Sequence, residues 1–238
     1  MKVIIIGAGP AGLMCATECC KNKENKIVLL DSNEKVGKKL YITGKGRCNI
    51  CNKTTKEDFL NNVVNNSKFL FAAINQFSPD DTISFFESNG TKLKVERGNR
   101  VFPVSDKASD ISKTFLKVLN QDNVEIKLNN NVKKIYKTEK GFEIQTDKQK
   151  FQADVLVVAT GGRSYSVTGS KGDGYKFAKD LGHSIIKINP ALVPINLKDY
   201  DGSLAGLSLK NVEISLKVNI KKGYHKEREK RKEKKGVN

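Results

Sequence analysis

Three glycines near the start of the chain have the spacing of a turn that holds a dinucleotide. Gly7, Gly9 and Gly12 follow a β-branched run at residues 2–6, and Asp31 lies nineteen residues after Gly12, at the end of a second apolar run. The first glycine permits a tight turn, the second lets backbone approach a pyrophosphate, and the third lets a helix pack closely on a strand. The carboxylate can accept hydrogen bonds from ribose hydroxyls and would repel a 2′-phosphate. We therefore predict cofactor contacts from the turn and the carboxylate, at Gly7, Gly9, Pro10, Ala11, Gly12 and Asp31.

A second candidate site is a basic, glycine-rich segment at residues 38–49. Its cations and its flexible backbone suit a phosphate or an electron-rich ring, although a solvated basic loop is an equal alternative. The segment is not a nucleoside-triphosphate loop, because six residues rather than four separate Gly37 from Gly44-Lys45, and Lys45 is followed by glycine. The residues predicted to contact a cofactor here are Lys39, Gly46, Arg47, Cys48 and Asn49.

A third candidate site follows the apolar run at residues 154–159, where the chain reads Thr160-Gly161-Gly162. Ligands of parallel α/β sheets bind at the carboxyl ends of the strands, and glycines there let the chain pass over a flat cofactor. An ordinary turn is the alternative. We predict cofactor contacts from Thr160, Gly161 and Gly162.

Hydrophobic periodicity supplies the elements that must position these sites. The opening strand, turn, helix and strand occupy about 30 residues and imply a parallel sheet with a right-handed crossover. We predict a hairpin across 133–152 and a long loop at 35–53. Further strands are predicted at 124–128, 132–136, 154–159, 185–188 and 212–220, and helices at 10–21, 57–77, 80–89, 106–121 and 173–181, with Asp173 as a possible cap of the last.

The cysteines indicate a reduced, cytoplasmic protein. There are five of them, an odd number, and three lie on the first predicted helix, which is not the pattern of a secreted disulfide framework. Cys48 and Cys51 form a CxxC pair that could act as a redox dithiol beside a flavin. A zinc site would need two more ligands, so we predict no metal. The catalytic residues stay unassigned, because no hydrolytic constellation stands out.

The charge is strongly basic but not specific. There are 43 basic and 26 acidic side chains, a formal net charge of +17, yet 37 of the cations are lysine and asparagine occurs 22 times. Such a Lys/Asn excess arises from AT-rich coding without selection for a partner. Residues 221–238 alone carry nine basic and three acidic residues and are predicted to be a disordered tail. We expect no membrane partner, since no 18-residue apolar window exists, and consider nucleic acid an unlikely partner.

Together the motifs resemble the BaiN-type (YhiN-like) NAD(P)/FAD-dependent oxidoreductases, over roughly residues 1–220. The stretches that carry the resemblance are 3–13, 37–49, 159–175, 182–183 and 190–194. The resemblance implies an α/β fold, a Rossmann-like three-layer FAD/NAD(P)-binding domain with a parallel sheet and a small antiparallel hairpin element. It implies FAD with its ribose on Asp31, residues 47–49 near the cofactor and residues 160–162 crossing it. It also implies NAD(P)H as the electron donor and a small organic molecule as the substrate.

The resemblance further predicts an FAD-binding domain at 1–190, the start of an inserted substrate domain at 191–220 and the basic tail at 221–238. Members of the family are longer, and their C-terminal segment completes the flavin pocket, so the sequence is expected to be truncated inside the inserted domain. Two alternatives to a small-molecule oxidoreductase stay open. One is a truncated, non-catalytic flavoprotein fragment, and the other is a flavin-dependent tRNA-modifying protein, favoured by the net charge. The oligomeric state is not predicted.

Overall fold

The computed structural model of the protein describes residues 1–189, 202–203 and 206–207. The chain divides into two compact units, Met1–Lys187 and Ile188–Asn238, and every described helix and strand lies in the first unit. The predicted strand at 212–220, the inserted domain at 191–220 and the basic tail at 221–238 lie outside the described residues.

A four-stranded parallel sheet forms the centre of the first unit. Its two central strands are short runs of β-branched and leucine residues that are buried on both faces, as parallel strands covered on both sides must be, and its two edge strands are only partly buried. The order across the sheet is β10-β1-β2-β6, so the chain moves outward from β1 in one direction and later returns to its other side. The strands are β1 (Lys2–Ile6), β2 (Lys26–Leu30), β6 (Val124–Lys127) and β10 (Val155–Val158).

Two helices cover one face of this sheet. They are α1 (Pro10–Cys19) and α5 (Ala108–Val118), and their apolar sides meet the residues of β1 and β2 that point the same way. Leu13, Ile111 and Phe115 are at most 2% exposed in this layer of the core. The Phe85, Phe86 and Phe115 rings pack against one another in edge-on or tilted arrangements, with centroids less than 6 Å apart.

An antiparallel meander and a helix cover the opposite face. Ile4, Ile6 and Leu30 point from the parallel sheet toward Ile144 and Phe151 of the meander. The layer consists of β7 (Val132–Thr138), β8 (Gly141–Thr146), β9 (Lys150–Ala153) and α6 (Asp173–Asp180). The architecture is thus helices, parallel sheet and meander, which confirms the predicted Rossmann-like three-layer α/β fold with its antiparallel element.

A second antiparallel sheet, in the order β3-β5-β4, was not predicted. Its strands are only two to four residues long, too short for a hydrophobic period to be distinguished in the sequence. The elements of this region are β3 (Cys51–Asn52), α2 (Lys56–Asn61), α3 (Phe71–Gln76), α4 (Pro79–Ser88), β4 (Leu93–Glu96) and β5 (Arg100–Pro103).

Three further predictions about elements were wrong. The helix predicted at 57–77 is broken into α2, a 3₁₀ turn at Ser67–Leu70 and α3, because Asn66 takes a left-handed conformation (φ 55°), which asparagine tolerates. The loop predicted at 35–53 contains two short 3₁₀ turns within Lys38–Gly46, separated by a non-helical kink at residues 43–45, as well as β3. Residues 185–188 form no strand, and the side chain of Ile186 is 89% exposed.

Candidate functional site

A crevice of about 600 Å³ opens at the carboxyl ends of β1, β2 and β10. It lies where β2 and β10 diverge from opposite sides of β1, the switch point at which open α/β sheets bind ligands. Its volume is within the range of cofactor sites. Predicted site residues that line the crevice are Gly7, Gly9, Pro10, Ala11, Asp31, Lys39, Thr160, Gly161 and Gly162.

The glycine turn at the head of the crevice has the geometry that the sequence predicts. Gly7 has a φ of 107°, and a Cβ there would lie 2.4 Å from the carbonyl oxygen of Ala159. Gly12 lies behind the crevice wall, where a Cβ would be 1.8 Å from the carbonyl oxygen of Gly7, so α1 touches the turn directly. A Cβ on Gly9, in contrast, would meet nothing within 4 Å. The backbone at Gly9 is therefore open to a ligand.

The N-terminus of α1 is ready to bind an anion. Gly9 precedes the helix without a side-chain cap, and no acidic residue lies in its first turn. The first intrahelical hydrogen bond joins the Leu13 N–H to the Gly9 carbonyl, so the Ala11 and Gly12 amides have no place in the helical ladder. These amides and the helix dipole favour negative charge at this point.

Asp31 points at the glycine turn. Its Oδ2 accepts the Ala8 N–H at 2.7 Å, and its Oδ1 accepts the backbone N–H and the side-chain Nδ2 of Asn33 at 2.7 and 2.8 Å. A carboxylate offers about four acceptor positions, so this one can still receive a hydroxyl from the crevice. The three hydrogen bonds fix its orientation at the end of β2.

The opposite wall of the crevice is the loop after β10. Lys39 reaches this loop from the Lys38–Gly46 segment, and its Nζ donates to the Ser164 carbonyl at 2.8 Å. Burial lowers the pKa of the Lys39 ammonium. Asn33 Nδ2 also donates to the Thr168 carbonyl, at 3.2 Å, so two points of this loop are attached to residues that follow β2.

The other residues of the basic segment that were predicted to contact a cofactor do not line the crevice. Arg47 donates to Glu96 at 2.8 Å and to Asp106 at 3.3 Å, and its guanidinium stacks over the Phe102 ring at 4.1 Å.

The three neighbours of Arg47 that were also predicted to contact a cofactor face other parts of the protein. Cys48 is 1% exposed and belongs to the core layer of α1 and α5. The Asn49 amide, when oriented to satisfy its surroundings, donates to the carbonyls of Val101 and Cys51. Gly46 provides a positive φ (87°) in the same segment. Cofactor contact by these four residues stays a prediction.

The CxxC pair has the properties of structural thiols. Cys48 and Cys51 are both free, and burial raises the pKa of each, that of Cys51 to about 11 with a further contribution from Asp80. A catalytic thiol needs a lowered pKa, so the redox-dithiol alternative is disfavoured. No cluster of His, Cys, Asp or Glu suited to a metal ion occurs within the described residues. None of the helices in that part of the chain is long and apolar enough to cross a membrane.

Sequence reasoning missed three asparagines of the crevice, Asn33, Asn130 and Asn131. The position of Asn33 two residues after Asp31 was an available signal, because an asparagine there can hydrogen-bond back to the carboxylate. No local pattern marked Asn130 and Asn131, which precede β7. They reach the crevice only because β6 pairs with β2.

Comparison with known proteins agrees with this geometry. A family model described as the HI0933-like protein Rossmann domain matches residues 1–225. The chain is 31% identical over 200 residues to a 3-dehydro-bile acid delta(4,6)-reductase of Clostridium scindens, covering 84% of this chain and 48% of that protein. It is 29% identical over 194 residues to a ribosomal RNA dihydrouridine synthase of Escherichia coli, covering 82% of this chain and 48% of that protein.

Among solved structures, the quinol fumarate reductase protein FrdA of Escherichia coli matches with a TM-score of 0.51 at 15% identity, over 68% of this chain and 33% of that chain. This likeness concerns the fold alone. The chain spans about half the length of the curated relatives that it matches. The resemblance stated from the motifs is confirmed, and the chain belongs to the HI0933-like Rossmann domain family.

Proposed function

We propose that this chain binds FAD in the crevice and forms the flavin-binding part of an oxidoreductase. The observation that carries the proposal is the orientation of Asp31, whose carboxylate is held at the mouth of the glycine turn by the Ala8 amide. The glycine turn is an anion site that fits a diphosphate. The Asp31 carboxylate is a hydrogen-bond acceptor that fits a hydroxyl of the ribose joined to that diphosphate. The open space at Gly9 supports the fit, because the backbone there can touch a pyrophosphate directly.

Each group of this site has a defined task in the proposal. The Ala11 and Gly12 amides at the start of α1 stabilise the pyrophosphate charge, and Asp31 accepts a ribose hydroxyl. Thr160, Gly161 and Gly162 form the wall along which a flat ring lies. The bound flavin supplies hydride chemistry, and the protein supplies binding, orientation and exclusion of water. No acid or base of the chain is assigned to the reaction.

The names of the relatives suggest a substrate class for the proposed enzyme. One relative is named a 3-dehydro-bile acid delta(4,6)-reductase and another a ribosomal RNA dihydrouridine synthase. From these names we infer a common reaction type, the reduction of a ring C=C bond that is conjugated with a carbonyl. We propose that this chain serves the same reaction type on a small organic molecule, with NAD(P)H reducing the flavin. An RNA base is the second candidate substrate, favoured by the two dihydrouridine synthase relatives. The third candidate is a non-catalytic, flavin-binding fragment, because the chain spans only about half the length of these relatives.

The proposed organisation keeps the boundaries expected from the sequence, with the FAD-binding domain at 1–190, the inserted domain from 191 to 220 and the basic tail after it. A cytoplasmic location is proposed because five cysteines, an odd number with three of them on the first predicted helix, are not the pattern of a secreted disulfide framework.

The test is FAD binding by the purified chain and by a matched pair of variants. The wild type should take up FAD and show its visible absorbance. Asp31→Ala should bind FAD about tenfold or more weakly, the typical effect of losing a hydrogen bond to a charged group. Asp122→Ala removes an exposed carboxylate outside the crevice and should leave FAD binding unchanged. Equal affinities for all three proteins would overturn the proposed site.

Electron transfer is tested under anaerobic conditions with NADH and NADPH in turn. Bleaching of the flavin absorbance by either donor, followed by recovery on adding a conjugated enone, supports the oxidoreductase. Recovery with a uridine-containing RNA but not with an enone would favour the RNA-modifying alternative. A chain that binds FAD but is not bleached by either donor would support the fragment.

A further inference from the structure

A second cavity, of about 790 Å³, lies at the amino ends of the parallel strands, and we call it the amino-end groove. It is lined by residues of β1, β2 and β6 together with residues 149–151 at the start of β9. Ligands of open α/β sheets bind at the carboxyl ends of the strands, so the crevice does not account for this groove. Its lining carries five lysines and two carboxylates, an excess of three positive charges: Lys2, Lys23, Lys26, Lys127 and Lys150 against Asp122 and Glu125.

Two of these lysines are neighbours in the sheet. Lys2 and Lys26 form the first register pair of β1 and β2, and adjacent strands lie about 4.8 Å apart. Residues two apart on a strand point to the same face, so Lys2 points with Ile4 and Lys26 points with Val28, toward the antiparallel meander. Like charges side by side on one face of a sheet repel each other. An anion between the two ammonium groups would remove this repulsion.

The protein supplies no such anion within the part of the chain that the structure describes. Neither the Lys2 ammonium nor the Lys26 ammonium forms an ion pair there. Asp154 lies beside Lys2, but its carboxylate accepts the backbone N–H of Lys2, at 2.6 Å. The two ammonium groups are therefore available to a ligand.

The remaining lysines of the groove each have one partner in the protein. These pairs are Lys127 with Glu125, Lys23 with Gln121, and Lys150 with Glu143 at 3.2 Å. An ammonium group has three donors, so one protein partner leaves donors for a ligand. The groove thus combines two unpaired cations with three that are only partly occupied.

We infer that the amino-end groove binds a compact polyphosphate, the group found in inorganic triphosphate and in nucleoside triphosphates, between Lys2 and Lys26. A terminal phosphate carries nearly two negative charges and three acceptor oxygens, enough for two adjacent ammonium groups. Each phosphodiester of an RNA strand carries a single charge and matches such a close pair of cations less well. The inference does not depend on the proposed function, because the groove and the crevice lie at opposite ends of the strands.

The experiment measures binding of inorganic tripolyphosphate to the full chain by calorimetry, at about 0.15 M salt to screen distant charges. Lys2→Gln combined with Lys26→Gln should weaken binding about tenfold or more, the typical effect of losing hydrogen bonds to a charged group. The matched control combines Lys68→Gln with Lys140→Gln. It removes the same charge from exposed positions outside the groove and should change the affinity less than about twofold. Lys26→Gln alone decides the matter if the double variant does not fold.

Thermal unfolding supplies a second readout. Without added anion, Lys26→Gln should raise the melting temperature by about 1–3 °C, because it removes the repulsion from Lys2. Tripolyphosphate should raise the melting temperature of the wild type and leave that of the Lys2 and Lys26 double variant nearly unchanged, since a ligand of the folded state stabilises it. A wild type that does not respond to tripolyphosphate would overturn the inference.

Three further results would also overturn it. Equal losses of affinity in the two double variants would show that net charge, and not the groove, attracts the anion. Displacement of tripolyphosphate by FAD would place the anion at the glycine turn, which contradicts the groove and supports the proposed function. An RNA without terminal phosphates that binds more tightly than tripolyphosphate, and is lost with Lys2 and Lys26, would make the groove an RNA surface. Tripolyphosphate binding by a chain that takes up no FAD would leave the groove in place and overturn the flavin proposal.

Discussion

At the scale of single residues, we expect substitution of one glycine of the turn to lower stability and substitution of another to lower FAD affinity. A Cβ at Gly12 would overlap the Gly7 carbonyl, so we expect Gly12→Ala to destabilise the fold by about 1–3 kcal/mol or more, as overpacked cores do. A Cβ at Gly9 meets only open space and its φ of −77° suits alanine, so Gly9→Ala should keep its stability and bind FAD about tenfold or more weakly. Thermal unfolding and FAD titration measure the two effects, and a destabilised Gly9→Ala would contradict this structure of the turn.

Also at the residue scale, the raised pKa of Cys51 predicts an unreactive thiol. With a pKa of about 11, roughly one thiol in a thousand is ionised at pH 8, and the thiolate is the nucleophile. Alkylation of Cys51 by iodoacetamide at pH 8 should therefore be about 100-fold or more slower than that of an unperturbed thiol. Its rate should rise about tenfold per pH unit until the pH approaches 11, as read by mass spectrometry of the Cys51 peptide.

The matching variant is Cys51→Thr, which we expect to leave the flavin absorbance and turnover unchanged. A plateau of the alkylation rate near pH 8.5, together with a spectral change in the Cys51→Thr protein, would restore the redox-dithiol alternative.

At the scale of elements, Arg47 joins the Lys38–Gly46 segment to the second antiparallel sheet. The hydrogen bond from Arg47 lowers the pKa of Glu96, and that from Lys94 lowers the pKa of Asp106. A carboxylate whose pKa is lowered by folding stabilises the folded state above its unfolded pKa, about 4, and loses that effect as the pH falls through its folded value. Arg47→Gln should therefore lower the melting temperature at pH 7, and the difference should shrink below pH 4.

Arg47→Lys serves as the control for this network. It keeps a positive charge but loses the planar group that stacks on Phe102. A decrease in melting temperature that Arg47→Lys and Arg47→Gln share at every pH therefore measures the contribution of the stacking. A difference between Arg47→Gln and wild type that does not depend on pH would show that the ion pairs contribute nothing.

At the scale of the whole molecule, the net charge of +17 predicts RNA binding without specificity. Residues 221–238 carry nine basic and three acidic side chains, which attract phosphates in a salt-dependent way. We expect weak RNA binding at low salt that is indifferent to sequence, disappears with added salt and is lost when 221–238 are deleted. The affinity for several RNA sequences over a salt series measures this. Tight binding of one sequence that survives the deletion would instead favour the RNA-modifying alternative.

The sequence predicted the part of the fold whose signals are local. The β-branched run before Gly7, the spacing of Gly12 and Asp31, and the apolar run before Thr160 each follow from a few neighbouring residues, and the crevice brings them together as the strand ends of one parallel sheet. The break at Asn66 and the sheet β3-β5-β4 were missed, because a left-handed asparagine and strands of two to four residues leave almost no periodic pattern.

What the sequence by itself determined is the turn, the carboxylate and the family to which they belong, since glycine geometry and strand burial are decided over a few residues. Tertiary structure alone decided which polar side chains share the crevice. Arg47 and Cys48 lie in a glycine-rich basic motif, yet packing directs one to Glu96 and Phe102 and the other into the core. Asn130 lies about a hundred residues from Asp31, yet the pairing of β2 with β6 makes them neighbours. Contacts between residues so distant in sequence depend on how strands pair and layers pack, and no local pattern records them.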